Sequence, residues 1–204
     1  MKRFHHGFLG LMALLIFING CQGSDKLLEK IESPSKLINE SNHRRDSQNL
    51  SPVQEDLDLI KEIPVSREVL KTWVPEKVDD FQRMQLLSGH RADAGIVSVL
   101  ASYQHSSFPN QTIQIEILDG AGKNGSLLLR AAKERLDLDI EEFKSGTKTR
   151  IYSMGELRVR ETEIADQNYI EIEFIDQSRF HYTLKGFGLT INQLWSFCTA
   201  ANFI

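Results

Sequence analysis

The chain has 204 residues, of which 41% are hydrophobic and 25% charged, and its formal net charge is −4. An acidic chain lacks the excess of Lys and Arg that a surface for nucleic-acid phosphates requires. We therefore expect a folded body with no nucleic-acid partner.

The first 21 residues form a hydrophobic leader. Met1-Lys2-Arg3 gives a short basic start, and the run from Phe8 to Ile18 contains apolar residues and glycine throughout. This run is shorter than the roughly 20 apolar residues that a membrane-spanning helix needs. The segment therefore has the pattern of an export signal rather than of a stable span.

The leader ends in Ile18-Asn19-Gly20-Cys21. This tetrapeptide resembles the lipobox of bacterial lipoproteins, which consists of an aliphatic residue, a tolerant position, Gly or Ala, and Cys. The resemblance implies a diacylglycerol on the sulfur of Cys21, removal of residues 1–20, and usually acylation of the new amino group. At about 0.8 kcal/mol per buried methylene, two or three acyl chains form an essentially permanent anchor.

The resemblance also implies a location and partners. Gln22 follows the cysteine instead of Asp, which in this family favours the outer membrane, facing the periplasm, over the inner membrane. The implied partners are the membrane, through the acyl chains on Cys21, and an envelope protein. The alternative is an ordinary cleaved signal, in which case Cys21 and Cys198 could form a disulfide.

Residues 21–63 have the composition of a flexible polar tether. Ser, Asn, Gln and charged residues dominate 33–52, and aromatic residues are absent. Its two apolar stretches, 26–31 and 57–63, are too short to fold alone. The alternative is that 56–63 and 66–74 are helical turns that dock on the domain. We expect this for 66–74, with Ser66 as its N-cap and Trp73 as a buried anchor.

Residues 64–204 are predicted to form one α+β domain, which begins with a meander. Strands are predicted at 81–88, 95–105 and 111–119. In the last of these, the side chains of Ile113, Ile115 and Ile117 face one way and those of Gln114 and Glu116 face the other. A helix then follows over 125–136, with an inward stripe of Leu128, Leu129, Ala132 and Leu136.

The second half of the domain repeats this order. Strands are predicted at 149–154, 156–164, 169–175 and 179–185, and a helix at 190–202 with the apolar stripe Ile191, Leu194, Trp195 and Cys198. The two meander-then-helix halves predict a mostly antiparallel sheet of six to seven strands with two helices packed on one face. This order is similar to that of small envelope domains such as the Mog1/PsbP-like group, a similarity that transfers no site residue.

A glycine-rich segment, Gly120-Ala121-Gly122-Lys123-Asn124-Gly125, matches the dinucleotide-binding pattern G-x-G-x-x-G. A dinucleotide-binding strand is buried on both faces, however, whereas 111–119 alternates, and 137–144 reads as polar without a strand. We therefore expect no nucleotide and no cofactor. The segment is interpreted as a connection in which Asn124 or Ser126 caps the following helix.

The sequence contains six histidines and predicts no metal site from them. No pair has the spacing of ligands on a helix, and there is no Cys or His cluster of the zinc type. His181 lies between Phe180 and Tyr182 on a strand, so we expect it to be a solvated surface residue. Arg158 and Arg160 are likewise predicted to lie on an exposed, charge-mixed sheet surface.

One loop, 88–95, contains the residue types of a catalytic or anion-binding turn in His90, Arg91 and Asp93. These are also ordinary residues of hairpin loops, and the loop interpretation is favoured. No G-x-S-x-G nucleophile elbow is present. Cys198 lies on an apolar helix stripe, which predicts a buried and unreactive thiol.

The sequence thus favours a non-enzymatic binding or assembly module that acts on a protein or envelope component through its sheet face or loops. Two alternatives stay open. One is a carrier of an apolar ligand between the helices and the sheet, which requires a cavity of at least about 300 Å³ lined by Ile, Phe and Leu. The other is an enzyme in which His90, Arg91 and Asp93 converge in a cleft with shifted pKa values.

Overall fold

The computed structural model describes residues 59–204. The predicted signal, the lipobox cysteine Cys21 and the tether as far as residue 58 lie outside the described residues.

A nine-stranded antiparallel sheet forms the centre of the fold. Its strands are Lys77–Val78 (β1), Phe81–Ser88 (β2), Ser98–His105 (β3), Thr112–Asp119 (β4), Glu141–Lys144 (β5), Thr147–Met154 (β6), Leu157–Ile164 (β7), Tyr169–Asp176 (β8) and Phe180–Phe187 (β9). The order across the sheet is β1-β2-β3-β4-β9-β8-β7-β6-β5. Two meanders, β1–β4 and β5–β9, therefore join through the central β4–β9 pair.

Three α-helices that lie entirely within residues 59–204 accompany the sheet: Arg67–Thr72 (α1), Lys123–Leu136 (α2) and Ile191–Ala200 (α3). Ser66 caps α1, because its Oγ accepts a hydrogen bond of 3.2 Å from the N–H of Val69, as predicted. Thr190 and Gln193 form a capping box at the start of α3. Helices α2 and α3 each follow one of the two central strands, so each meander ends in a helix.

One face of the sheet, here called the apolar face, forms the main core. Its fully buried strand residues are Val99, Ala101, Ile115, Ile117, Val159, Ile172, Phe174 and Leu184. Phe174 stacks on Tyr182 with ring centroids 4.9 Å apart, and Trp195 of α3 lies 6.2 Å from Phe174. Phe197 meets Tyr103 edge to face at 5.0 Å. Helix α3 thus packs on the apolar face through aromatic contacts.

The opposite face, here called the polar face, carries Glu173. Successive side chains of a strand point to opposite sides, so Glu173 and Phe174 lie on different faces. Arg135 of α2 donates to the Glu173 carboxylate at 3.2 Å. The carbonyl of Leu136 accepts a hydrogen bond of 3.0 Å from Nε of Arg158. Helix α2 therefore contacts the polar face.

Two features of this fold differ from the sequence prediction. The sheet has nine strands rather than six to seven, because β1 has two residues and the four residues of β5 are all exposed, so neither shows alternation. The helices α2 and α3 contact opposite faces instead of one. The second difference arises because charged residues on a strand are normally expected to face solvent. Here they are buried in ion pairs under α2.

The segment before α1 contacts the domain at the start of α2. The N–H of Gly122 donates to the carbonyl of Leu59 at 2.8 Å, and Leu59 is buried. The N–H of Val65 donates to the carboxylate of Asp119, also at 2.8 Å. Residues 59–63, the end of the predicted tether, thus lie against the fold.

Asp119 is fully buried at this junction. Its carboxylate accepts two hydrogen bonds from Arg179, at 2.7 and 2.9 Å. It accepts two more from the backbone N–H groups of Val65, at 2.8 Å, and Ala121, at 2.9 Å. Arg179 also pairs with Glu62 at 2.5 Å. The buried charge is therefore both neutralised and fully hydrogen-bonded, as a buried carboxylate requires.

We expect Asp119→Asn to lower the free energy of unfolding by about 3 kcal/mol, because it leaves the Arg179 guanidinium without its anionic partner. Urea denaturation of the two proteins measures this difference. The matched control is Asp166→Asn at an exposed position, for which we expect a change within about 0.5 kcal/mol. Equal denaturation midpoints for the two variants would contradict the role given to Asp119.

Candidate functional site

The predicted loop residues His90 and Arg91 meet at Glu116 on β4. Nε2 of His90 lies 2.9 Å from Oε1 of Glu116. Arg91 donates to both carboxylate oxygens, through Nε at 2.6 Å and Nη2 at 3.0 Å. The hydroxyl of Ser98 lies 3.4 Å from the same His90 nitrogen. The loop is thus held against the polar face of the sheet.

Asp93, the third predicted residue, does not join this cluster. It is exposed in the 3₁₀ turn Ala92–Ala94, and its carboxylate forms no hydrogen bond or ion pair within residues 59–204. The structure therefore brings together two of the three predicted residues. Glu116, the residue that joins them, was predicted to lie on the solvent-exposed face of its strand. Its contacts with the loop could not be predicted, because they depend on the order of the strands in the sheet.

The electrostatics of Glu116 are those of a structural ion pair. Burial raises its pKa, but hydrogen bonds from Arg91 and His90 and their charges outweigh burial, so the net pKa lies below the ordinary value. A general base needs a pKa nearer the working pH. The cluster is therefore better suited to holding the loop in place than to moving protons.

A second cluster on the polar face surrounds Glu173, which is 1% exposed. Besides its bonds with Arg135, Glu173 accepts a hydrogen bond from Nε of Arg160 at 2.6 Å and lies 2.8 Å from Nε2 of His181. Burial raises the pKa of Glu173, but the hydrogen bonds from His181 and Arg135 and the charge of Arg160 bring it well below its usual range. The prediction of a solvated His181 is wrong, because the ring lies partly buried against this carboxylate.

A third buried carboxylate, Glu161, lies at the margin of the apolar face. It pairs with Arg150 and accepts hydrogen bonds from the Tyr152 hydroxyl at 2.7 Å and from the Trp195 indole at 2.6 Å. Burial raises its pKa, but the hydrogen bonds outweigh burial and the net pKa is lowered. Like Glu116 and Glu173, it remains ionised and paired.

Cys198 is fully buried in α3. Burial raises the pKa of its thiol to about 12. A thiol that stays protonated is a weak nucleophile. The interpretation of this cysteine as an unreactive core residue agrees with its surroundings.

The glycines of the dinucleotide-like segment serve close packing. A Cβ at Gly120 would lie 2.6 Å from Leu129, and one at Gly125 would lie 2.6 Å from the carbonyl oxygen of Asp119. These distances are too short for a side chain, so α2 can start this close to β4 only with glycine at both positions. The pattern is therefore explained by the strand-to-helix junction without a bound phosphate.

The start of α2 also differs from prediction. Its N-cap is Gly122, which has no side chain to accept a hydrogen bond. Asn124 instead donates to the carbonyl of Ala94 at 2.7 Å, and the hydroxyl of Ser126 donates to the carbonyl of Lys123 at 3.0 Å. The prediction that Asn124 or Ser126 caps α2 is therefore wrong.

A groove of about 500 Å³ opens between α1, the C-terminal end of α3 and the turn between β8 and β9. Aromatic rings form its floor: Trp73 meets Phe180 edge to face at 4.8 Å, and Tyr182 and Phe203 are almost fully buried beside them. The lining consists of Thr72, Trp73, Pro75, Lys77, Asp176, Gln177, Phe180, Tyr182, Ala200, Ala201, Asn202 and Phe203.

A Schellman motif forms the α3 side of the groove. The N–H of Phe203 donates to the carbonyl of Cys198 at 3.1 Å, and the N–H of Asn202 donates to the carbonyl of Thr199 at 3.0 Å. Asn202 takes the left-handed conformation that this motif requires, with φ of 56°. The motif turns Phe203 back onto the core, where its ring lies 6.4 Å from that of Phe197. This side of the groove is therefore held in a defined shape.

Two polar groups of the lining lack partners. Tyr182 is 6% exposed, and its hydroxyl forms no hydrogen bond with any residue of 59–204. Burial and the nearby charge of Asp176 raise the pKa of Tyr182 to about 12, so the hydroxyl stays protonated. The Asp176 carboxylate has no ion-pair partner within residues 59–204. This differs from the buried carboxylates described above, each of which has an arginine.

The turn that presents Asp176 connects β8 and β9. Gln177 and Ser178 both lie in the left-handed region, with φ of 49° and 54°. With the hydrogen bond of 3.0 Å from the N–H of Arg179 to the carbonyl of Asp176, they form the type I′ turn that commonly joins two antiparallel strands. No local sequence pattern predicts the groove, because its lining combines 72–77 with 176–182 and 200–203, far along the chain from the first segment.

A second cleft, of similar volume, lies beside β5. Its main polar groups are already occupied: Arg150 pairs with Glu161, and the N–H of Ile151 donates to the carbonyl of Ile140 at 2.8 Å. Within residues 59–204, no three His, Cys, Asp or Glu side chains come together as a metal site, and no helix is long and apolar enough to cross a membrane. The groove at Tyr182 is therefore the stronger candidate site.

Comparison with known proteins adds little to this geometry. No protein-family model matches the sequence, and no curated protein matches it. Among solved structures, the extracellular domain of PknH from Mycobacterium tuberculosis is similar to this chain, with a TM-score of 0.42 and 7% identity. The match covers 68% of this chain and 95% of that domain. At this level it assigns neither a fold family nor a function.

We expect the free energy of unfolding to fall as the pH is lowered below about 4.5, the ordinary pKa of Glu. The folded-state pKa of Glu173 is depressed, so its stabilisation is complete above the unfolded-state pKa and is lost as the pH falls towards the folded-state pKa. Urea denaturation at a series of pH values measures the slope. In Glu173→Gln this slope should become shallower, and an unchanged slope would contradict the assignment.

We expect Gly125→Ala to lower the free energy of unfolding by roughly 1–3 kcal/mol, because the added methyl group overlaps the Asp119 carbonyl. Thermal denaturation with and without NAD or ATP tests both interpretations of the glycine pattern. The packing interpretation predicts that neither nucleotide shifts the midpoint of the wild-type protein. A saturable upward shift that Gly125→Ala abolishes would contradict it.

Proposed function

We propose that this chain is a lipid-anchored protein of the cell envelope whose folded domain is a non-enzymatic binding module. In this proposal Cys21 carries the acyl chains, and the protein lies at the outer membrane facing the periplasm. The support for the anchor is the sequence Ile18-Asn19-Gly20-Cys21 after an apolar run.

The observation that carries the binding role is the groove with its two unpartnered polar groups, the Tyr182 hydroxyl and the Asp176 carboxylate. Within residues 59–204 the buried side-chain polar atom without a partner is Oγ1 of Thr162, so the unpaired Tyr182 hydroxyl opens to the groove, and Asp176 is partly exposed. Both groups are therefore accessible to a ligand. A concave surface with an aromatic floor and a few available polar groups is typical of ligand sites. The binding surface proposed here is therefore this groove rather than the loop of His90, Arg91 and Asp93.

The electrostatics favour binding over catalysis. Glu116, Glu161 and Glu173 have pKa values below the ordinary value and are paired with arginines. Cys198 has a raised pKa and is buried. Titratable groups that remain in one protonation state near neutral pH are poor acids, bases and nucleophiles.

The apolar-carrier alternative receives less support from the groove. Its volume of about 500 Å³ exceeds the size such a carrier needs. Within residues 59–204, however, the residues that line the groove include Phe180 and Phe203 but no Ile or Leu. They also include the charged residues Lys77 and Asp176. A ligand that combines an apolar part with a polar group fits this lining better than a purely apolar one.

The anchor is tested by comparing the natively expressed protein with its Cys21→Ser variant, using intact mass and membrane fractionation. We expect the wild-type product to start at Cys21, to carry added acyl mass and to sediment with membranes, and the variant to leave the membrane fraction. The matched control is Cys198→Ala, which removes the other cysteine and should fractionate like wild type. An unacylated wild-type product cleaved at another position would overturn the anchor.

A further inference from the structure

We propose that the groove binds an organic cation, an alkylammonium or guanidinium group, with its charge at Asp176 and Tyr182. This inference rests on the proposed binding function and names the ligand class of the same groove. It is supported by the charges of the groove wall, by its aromatic floor and by the free polar groups.

The wall beside Asp176 carries negative potential from two sources. The first is the Asp176 carboxylate, which has no ion-pair partner within residues 59–204. The second is the C-terminal end of α3, whose residues Ala200 and Ala201 line the groove. A helix C-terminus carries about half a negative charge and favours cations. The last turn of α3 contains no basic residue to neutralise it.

The floor of the groove adds an aromatic surface for the same charge. Trp73 is half-buried, and Phe180, Tyr182 and Phe203 are almost fully buried around it. A cation within about 6 Å of an aromatic ring is attracted by the ring quadrupole, most strongly by Trp. The protein already uses this interaction at the same ring cluster, since Cζ of Arg179 lies 5.1 Å above the Phe180 ring.

The Tyr182 hydroxyl supplies a hydrogen-bond acceptor beside the carboxylate. A hydroxyl oxygen has two lone pairs, and this one accepts no hydrogen bond from a described residue. Alkylammonium and guanidinium groups carry three to five N–H donors and no acceptor. The pair of acceptors at Asp176 and Tyr182 therefore matches the donors of such a cation.

Lys77 is the basic residue of the lining and acts against a cation. It is exposed on the edge strand β1, where a long flexible side chain can extend into solvent. A zwitterionic ligand would instead use Lys77 for its anionic group. Replacing Lys77 by Met therefore distinguishes the two ligand types: binding of a cation should become tighter, and binding of a zwitterion weaker.

The first measurement is titration calorimetry of the mature protein in detergent with N-acetyl-argininamide, with n-butylammonium and with their neutral counterparts N-acetyl-citrullinamide and n-pentanol. We expect saturable binding of the two cations and binding at least about tenfold weaker for the neutral compounds, since a hydrogen bond to a charged group is the stronger kind. A tighter Kd for the arginine derivative would indicate a guanidinium group as the ligand, and a tighter Kd for butylammonium an alkylammonium group.

The second measurement repeats the titration with variants of the groove. Asp176→Asn should weaken the cation Kd by about tenfold, and Tyr182→Phe by about threefold to tenfold. Both should leave the thermal midpoint unchanged, because neither side-chain polar group has a partner in the described fold. Asp166→Asn, at an exposed position outside the lining, is the matched control and should leave both Kd and midpoint unchanged.

Two outcomes would overturn the inference, and they separate it from the proposed function. If neutral compounds bind as tightly as the cations and Asp176→Asn has no effect, the groove binds a ligand of another class and the binding role stands. If no probe binds and groove resonances do not shift in NMR spectra, the groove carries neither the cation site nor the binding role. Intact mass measurement tests the lipid anchor at Cys21 independently of these titrations.

Discussion

The buried pair of Asp119 and Arg179 determines how the rest of the domain is assembled. Its four hydrogen bonds join the end of β4, the start of α2, the segment that precedes α1 and the start of β9. A buried carboxylate with one of these donors missing would be strongly destabilising, so all four segments must meet at one point. This requirement also explains the glycines, because α2 can begin beside Asp119 only if Gly120 and Gly125 have no side chain.

The position of α2 follows from this junction and determines the character of the polar face. Helix α2 leaves the end of β4 on the side opposite to α3, and its C-terminal half covers Glu173. Ion pairs among arginine, glutamate and histidine side chains lie beneath it, together with the buried apolar residues Leu129, Ala132 and Leu136 of the helix itself. In such a network each charged group needs the hydrogen bonds of the others, so the loss of one side chain destabilises the rest. One face of the sheet thus has an apolar core, and the other combines an ion-pair network with the apolar packing of α2.

The sequence predicts the parts of this structure that have a regular pattern. Strand β2 and the alternation of Ile113, Ile115 and Ile117 follow from period two, and Ser66 predicts the start of α1. Strand β5 is not predicted, because an edge strand that is exposed on both faces has no alternation of apolar and polar residues. The side of α2 escapes prediction because a charged residue that is buried by an ion pair has the same sequence signal as a solvated one. The groove at Tyr182 brings 72–77 together with 176–182 and 200–203, which lie roughly 100 to 130 residues further along the chain, so its existence depends on the strand order.

Comparison of the carboxylates separates the residues that stabilise the fold from those that are available to a ligand. Asp119, Glu116, Glu161 and Glu173 each lie against an arginine, and each joins elements that are distant in sequence. The Asp176 carboxylate joins nothing in the described chain, although it lines the same groove as Tyr182. The chain supplies an arginine to each of these four carboxylates and leaves the partly exposed Asp176 open to a group from outside. At the four other sites an arginine guanidinium pairs with the carboxylate. The group expected to pair with Asp176 is therefore also a cation.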